Sequence, residues 1–200
     1  MLPQTNDFMN HLWDFPIKWK KLEKYIPREK EITVVDLGCG NGAIISEMIK
    51  INEDAEYIGL DASQKAIKEA EKNVPSEKFE VIWDGGCFPL LSESVDFIFC
   101  SEVIEHMNDI GNAFREMSRV LKKGGKVLIT TPYHGTVKDV IIALFHFEEH
   151  YDVKGPHIRF FTEKALFGCM NEVGIEPTDY GYYGRFFPVP FSIYVLGVKQ

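Results

Sequence analysis

The sequence predicts an α/β fold, a doubly wound and mostly parallel sheet with helices on both faces. Three observations carry that prediction. Short β-branched runs alternate with stretches of helical period, the pattern of βαβ units joined by right-handed crossovers. The first such run, Ile32-Thr33-Val34-Val35-Asp36-Leu37, passes through Gly38-Cys39-Gly40-Asn41-Gly42 into a helical pattern over Ala43–Ile49. Two hundred residues, 45% hydrophobic and 26% charged, suit one α/β domain with a full core.

Taken in order, residues 7–25 read as a helix with Phe8, Leu12, Phe15, Trp19 and Leu22 at helical spacing, interrupted by Pro16. Val34 and Val35 call for a buried strand. Gly38, Gly40 and Gly42 have no Cβ, so the turn after that strand is sharp and lets a ligand approach closely. The turn also offers backbone N–H groups and the positive end of a helix, which marks a nucleotide-like cofactor site at the carboxyl edge of the sheet. Strand 56–60 leads to Asp61, and Ser63 caps a helix carrying Ala66, Ile67 and Ala70. Strand 79–83 leads to Asp84, and strand 95–100 to Ser101-Glu102. A helical stripe of Ile110, Ala113, Phe114, Met117, Val120 and Leu121 follows, with Gly124-Gly125 as its stop. Strand 126–131 ends at Pro132. Thr162 caps a helix through about Val173, and strands 175–183 and 191–199 form an antiparallel hairpin around Pro188 and Pro190. With no repeat or linker, residues 1–200 form one domain; residues 1–28 are a helical cover and 133–161 a lid-like insertion over the sheet tips.

Composition narrows the partners. A net charge of −8 argues against broad contact with nucleic-acid phosphates. The four cysteines, Cys39, Cys87, Cys100 and Cys169, form no CxxC pair and read as reduced, packed thiols of a cytoplasmic protein. The first seven residues are too polar for a signal peptide, and the apolar run near 140–145 is too short to span a bilayer. The oligomeric state stays open.

The glycine turn alone also fits a relaxed dinucleotide fingerprint, Gly38-x-Gly40-x-x-Ala43, with Asp61 as a ribose-binding acid. The strand ends decide between cofactors. Asp36, Asp61, Asp84 and Ser101-Glu102 all fall on tips that line one crevice. A pyrophosphate is repelled by so many carboxylates, which suit a cationic, phosphate-free nucleoside such as S-adenosylmethionine. Asp61 would accept from both ribose hydroxyls and Asp84 from an adenine amino group. Asp36 either holds a ligand ammonium or orients the turn.

The order of Val34–Gly42, Gly59-Leu60-Asp61-Ala62-Ser63, Trp83–Leu90, Val95–His106 and Leu121–Gly125 resembles the class I S-adenosylmethionine-dependent methyltransferases over roughly residues 30–132. The resemblance implies a Rossmann-like seven-stranded sheet of order 3-2-1-4-5-7-6, with strand seven antiparallel. It implies that Gly38, Cys39 and Gly40 flank the methionyl part of the cofactor, that Asp61 and Ala62 lie at the ribose, that Asp84 and Gly85 edge the adenine, and that Ser101 joins the site. Two segments depart from the family pattern: Gly85-Gly86-Cys87 after the third acid, and Lys122-Lys123 before the double glycine.

A methyl transfer needs an aligned acceptor and, for a hydroxyl, a base. His106, just past the fourth strand tip, is the candidate base, an imidazole that titrates near neutrality; the alternative is a histidine that caps or packs there. Glu102, Glu105 and His106, at i, i+3 and i+4, would share a helix face and, with His157, resemble the metal site of small-RNA 3′-terminal 2′-O-methyltransferases. The aromatic residues of 1–28 (His11, Trp13, Phe15, Trp19) and 133–161 suit a small hydrophobic or ring-bearing acceptor. Residues 157–162 and 183–188 loosely resemble segments of quinone, lipid or glycan-associated methyltransferases, and their Arg159 and Arg185 either bind an acidic substituent or pair with surface carboxylates. The expected function is methylation of such a small molecule, most readily on oxygen. The rival readings are the RNA-end enzyme, a non-catalytic S-adenosylmethionine binder and an NAD-dependent oxidoreductase.

Overall fold

Seven strands form one sheet in the computed structural model, which describes residues 18–82, 86–150, 158–184 and 188–200, without the side chains of Glu149 and His150. They are β1 (Thr33–Leu37), β2 (Glu56–Asp61), β3 (Lys78–Val81), β4 (Val95–Ser101), β5 (Leu121–Pro132), β6 (Ile175–Tyr183) and β7 (Ser192–Lys199). Their order is β3-β2-β1-β4-β5-β7-β6. The first five pair in parallel, and β7 runs antiparallel to both β5 and β6. This is the strand order that the family resemblance implies.

The helices are α1 (18–22 among the described residues, running into a 3₁₀ turn at Glu23–Tyr25), α2 (Ala43–Ile49), α3 (Gln64–Asn73), α4 (Ile110–Val120), α5 (Thr136–Phe145), α6 (Phe147–His150) and α7 (Glu163–Glu172). Side chains satisfy the orphan N–H groups at three helix starts: Ser63 Oγ accepts from Ala66 N at 3.3 Å, Asp109 Oδ1 from Asn112 N at 2.9 Å and Thr162 Oγ1 from Ala165 N at 3.2 Å.

Alternation along the central strands sends side chains to two cores. Val35, Leu37, Ile98, Cys100, Val127 and Ile129 pack on the side of α4 and α7, with Phe114, Met117, Leu166 and Met170. Val34, Tyr57, Phe97, Phe99 and Leu128 pack on the other, with Ile45 and Met48 of α2, Ile67 of α3 and Leu22 of α1. Fully burying an aromatic such as Phe97 or Phe99 stabilises the fold by about 2–3 kcal/mol. Both faces of β1 and β4 are therefore covered, which explains their unbroken apolar runs.

Three boundaries differ from the sequence expectation. Strand β3 is Lys78–Val81, shorter than 79–83 at its far end. Leu121 is not the last helical residue: it is extended, at φ −62° and ψ 136°, and pairs with Val95, because the chain leaves α4 directly into β5. Gly124-Gly125 therefore does not stop the helix. It lies in a register shift of β5, where pairing resumes at Lys126 with Phe97 and Gly124 takes a φ of 75°. The expected helix over 7–25 is seen only in its final turns, since residues 1–17 lie outside the described ones.

Candidate active site

Strand order reverses between β1 and β4, so their carboxyl ends diverge and leave a crevice. A cleft of about 360 Å³ opens there, lined by Lys18, Asp36, Gly38, Cys39, Gly40, Asn41, Ala43, Ile44, Asp61, Ala62, Phe99, Ser101, Glu102, Val103 and His106. It brings together eight of the residues singled out from sequence: Asp36, Gly38, Cys39, Gly40, Asp61, Ala62, Ser101 and His106. Asp84 and Gly85 lie outside the described residues. A larger groove of about 760 Å³ opens between Lys24–Glu29 and the Lys122–Lys126 turn, and none of those eight residues lines it.

The glycine turn is held tightly. Gly38 N and Cys39 N both donate to Leu60 O, at 2.7 and 3.1 Å, which ties the turn to the end of β2. Gly38 takes a φ of 78°, and a Cβ placed there would overlap Cγ2 of Val103. A side chain at this position is therefore excluded both by backbone conformation and by space. Asp61 organises the opposite lip: its Oδ2 accepts from Gly40 N at 2.9 Å and its Oδ1 from Ser63 N at 2.7 Å. One carboxylate thus joins the glycine turn to the start of α3. Each oxygen keeps a lone pair for a ligand hydroxyl.

Asp36 sits on the α2 face of β1 and is only 2% exposed. Its Oδ2 is buried without a hydrogen-bond partner. Burial, reinforced by the nearby Asp61 carboxylate and opposed by Lys18, pushes its pKa up to about 7. A buried carboxylate oxygen left unpaired at a ligand cleft fits an incoming cation. The residues present therefore fit S-adenosylmethionine, whose ammonium and sulfonium are cationic and whose adenosine carries no phosphate.

The tip of β4 is built differently from its expected form. Glu102 is a non-glycine residue at a φ of 56°, and the residues after it form only a 3₁₀ turn, Ile104–His106. Glu102, Glu105 and His106 therefore share no α-helical face. Glu102 lines the cleft, and its Oε1 accepts from Thr130 Oγ1 and Tyr183 OH, each at 2.7 Å. Glu105 points inward and is 1% exposed; its Oε2 accepts from Thr131 Oγ1 at 3.1 Å. Burial and the Glu102 charge raise its pKa to about 8. His106 Nε2 stands 3.9 Å from Glu105 Oε1, and the imidazole, 35% exposed, faces the cleft. Among the described residues no group of three His, Cys, Asp or Glu is placed to hold a metal ion, and His157 lies outside them.

The surrounding segments fall into place around this core. Ser101 Oγ lies 2.8 Å from Thr130 Oγ1, which links the tips of β4 and β5. The chain leaving Asp84-Gly85 is pinned to α4, where Phe88 N donates to Glu116 Oε2 at 2.7 Å and Arg119 donates to Phe88 O and Leu90 O at 3.1 and 2.9 Å. Arg159 binds backbone rather than carboxylates, donating to Met107 O at 2.8 Å and to Asn108 O, so it locks the chain near α7 to the β4 tip. Arg185 lies outside the described residues. None of the described residues from 133 to 150 lines the cleft, and no helix among the described residues is long and apolar enough to cross a membrane. Helix α5 instead presents Val137, Val140, Leu144 and Phe145 outward, each about half exposed or more.

Comparison with known proteins agrees with this geometry. A family described as methyltransferase domain matches residues 28–159. The chain belongs to that family. A ubiquinone biosynthesis O-methyltransferase of Pelagibacter ubique is 32% identical over 117 residues, 58% of this chain and 48% of the relative. The biotin biosynthesis bifunctional protein BioHC of Cellvibrio japonicus is 28% identical over 187 residues, 90% of this chain and 36% of the relative. The chain thus spans about half of one relative and about a third of the other. The same fold recurs in an S-adenosylmethionine-dependent methyltransferase from Mesorhizobium loti, with a TM-score of 0.75 at 18% identity over 91% of this chain and 97% of that one.

Sequence reading gave no role to two residues that shape this cleft: Lys18, which lines it, and Tyr183, which holds the lining Glu102. Tyr183 reaches Glu102 across 81 residues of chain, with no local signal. Lys18 did leave one: in the sequence it falls at helical spacing from Trp19 and Leu22, and a lysine beside the fully buried Leu22 needs a reason to be there.

Proposed function

We propose that this chain is an S-adenosylmethionine-dependent methyltransferase that methylates a small, hydrophobic or ring-bearing acceptor on oxygen, with His106 as the base. The observation that carries the reading is the placement of His106: its imidazole faces the cleft at the tip of β4, beside a buried carboxylate and across from the glycine turn. When bound, S-adenosylmethionine supplies an electrophilic methyl group. Asp61 and Ala62 hold the ribose side, Gly38, Cys39 and Gly40 approach the methionyl part, and Asp36 meets its ammonium. Ser101 closes the floor beside Thr130, while Asp84 and Gly85 belong to the adenine edge.

An acceptor hydroxyl lying next to the methyl group would give its proton to His106 as the carbon–oxygen bond forms and the methyl–sulfur bond breaks, the electron pair passing to sulfur and the thioether S-adenosylhomocysteine leaving. The names of the relatives support acceptors of quinone or acyl type, since one is a ubiquinone biosynthesis O-methyltransferase and another, from Legionella pneumophila, a malonyl-[acyl-carrier protein] O-methyltransferase. The exposed apolar face of α5 supports a hydrophobic acceptor, in keeping with residues 133–161 as a cover that meets the acceptor rather than the cofactor.

His106→Ala tests the assignment. Methyl transfer to a catechol acceptor is expected to fall by about 100-fold, the usual worth of a positioned base. Affinity for S-adenosylhomocysteine, measured by calorimetry, is expected to stay within about twofold. An unchanged rate removes His106 from the mechanism.

A further inference from the structure

We propose that the groove at the amino edge of the sheet is a second binding site, made for a small organic polyphosphate with a ring-bearing body. It lies at the opposite end of β1 and β4 from the cleft at their tips, roughly 15–20 Å away at about 3.3 Å per strand residue. The two sites share no lining residue. The groove's volume of about 760 Å³ falls within the range of small-molecule sites, roughly 300–1,000 Å³. The proposal does not depend on which cofactor the other cleft takes.

An acidic chain has gathered positive charge here. Against a net charge of −8 for the whole, five of the lining residues are basic, Lys24, Arg28, Lys122, Lys123 and Lys126, and two are acidic, Glu29 and Asp96. Both acids are engaged locally. Asp96 Oδ2 accepts from Thr33 N at 2.9 Å and from Lys122 Nζ at 2.7 Å, and Glu29 Oε2 accepts from Arg28 N at 2.9 Å. The Arg28 guanidinium and the Lys123 and Lys126 ammonium groups have no carboxylate partner among the described residues. Lys24 lies over the ring of Tyr25, 4.5 Å from its centroid. Lys24 and Arg28 stand on one wall and Lys123 and Lys126 on the other, so an anion between them meets positive charge from both sides.

Local structure shapes the site. β4 pairs with β5 at Val95 with Leu121 and next at Phe97 with Lys126, so residues 122–125 loop out of the register. Gly124, at a φ of 75°, permits that turn, and the space where a Cβ would stand is open, which leaves room beside the lysines. On the facing wall the chain leaves its 3₁₀ turn through an extended Ile26. Ile26 and Phe97 form a buried floor, 3% and 1% exposed, and Tyr25, Ile32 and Leu196 are half-buried around it. An apolar floor under a basic rim suits a ring with several phosphate oxygens attached, since arginine and lysine both recognise phosphate. A bare inorganic anion has no use for the floor. A nucleic acid needs a broader positive surface than a chain of net charge −8 offers beyond the groove.

Uridine triphosphate, inorganic tripolyphosphate and uridine are the probes, titrated by calorimetry into the full chain with S-adenosylhomocysteine present in excess. The expected result is one-to-one binding of uridine triphosphate that weakens as salt is added. Tripolyphosphate, which lacks the ring, is expected to bind roughly tenfold more weakly, and uridine not measurably. The exposed pair Lys123→Glu/Lys126→Glu is expected to lower affinity for uridine triphosphate by at least about tenfold. The same variant is expected to keep the wild-type thermal midpoint and affinity for S-adenosylhomocysteine. The site is overturned if wild type binds neither phosphate compound at low ionic strength, or if the variant binds uridine triphosphate as well as wild type does. Equal affinity for tripolyphosphate and uridine triphosphate overturns the ring-bearing ligand. Tighter binding of a glutamate decamer than of uridine triphosphate overturns the small-molecule assignment in favour of an acidic protein partner. Failure of S-adenosylhomocysteine to bind bears on the cofactor reading alone, because the paired variant locates the phosphate site independently.

Discussion

Asp61→Ala is expected to abolish tight cofactor binding, lowering the affinity for S-adenosylhomocysteine by at least about 100-fold, or roughly 2.7 kcal/mol. The size follows from what the carboxylate does. It accepts from Gly40 N at 2.9 Å and from Ser63 N at 2.7 Å, so its loss frees the glycine turn and the start of α3 together. Hydrogen bonds to a charged group contribute about 1.5–3 kcal/mol each, and partial exposure puts these at the lower end. The ribose contact is lost as well. Asp61→Asn keeps one oxygen acceptor and is expected to fall between wild type and alanine. Calorimetric titration of the three proteins checks the ranking; an alanine variant that binds like wild type contradicts the assignment of Asp61.

Gly38→Ala is expected to cost about 3 kcal/mol of stability. The left-handed backbone accounts for about 1 kcal/mol of this and the overlap with Val103 for about 2 kcal/mol. Gly38 has a φ of 78°, and Val103 leads into the 3₁₀ turn that carries His106. Relief of the overlap therefore moves the β4 tip, so cofactor affinity and turnover fall together. The midpoint of thermal unfolding, followed by circular dichroism, is expected to drop by roughly 6–12 °C for a chain of this length. Adding Val103→Ala to the same chain is expected to recover part of the loss, because it removes the overlap and leaves only the backbone term. An unaltered midpoint in the single variant would mean that the turn is not held in the conformation described.

Most of this architecture was legible before any coordinates. Local pattern sufficed where local physics decides: the apolar runs at β1 and β4, the caps at Ser63 and Thr162, and the glycine turn that feeds α2. The crevice followed from topology, since parallel strands joined by helices place Asp36, Asp61 and Ser101 on one sheet edge. What escaped was set by contacts remote in sequence. The helix expected to run to Leu121 stops one residue sooner because Val95 claims Leu121 as a strand partner. The i, i+3, i+4 spacing of Glu102, Glu105 and His106 suggested a helical face, but the left-handed Glu102 and its ties to Thr130 and Tyr183 replace the helix with a 3₁₀ turn. Arg159 looked like a partner for acids and instead satisfies carbonyls at Met107 and Asn108, because backbone left unpaired beside that turn needs donors.

The two raised carboxyl pKa values carry a consequence for stability. Burial holds the Asp36 carboxyl up at about 7 in the fold, against the 3.8 of an ordinary aspartate, so the folded state holds an extra proton between those limits. Stability of the ligand-free protein therefore falls, on this group's account, as pH rises from about 4 to about 7. A cationic ligand acts in the opposite sense: it favours the ionised carboxylate, so its affinity rises as pH passes through about 7.

Calorimetric titration of the folded chain with S-adenosylhomocysteine between pH 6 and pH 8 is the most direct measurement. The expected result is saturable one-to-one binding that tightens with rising pH as Asp36 ionises. The contradicting result is a chain that melts cooperatively, and is therefore folded, yet takes up none of the compound at any pH in that range.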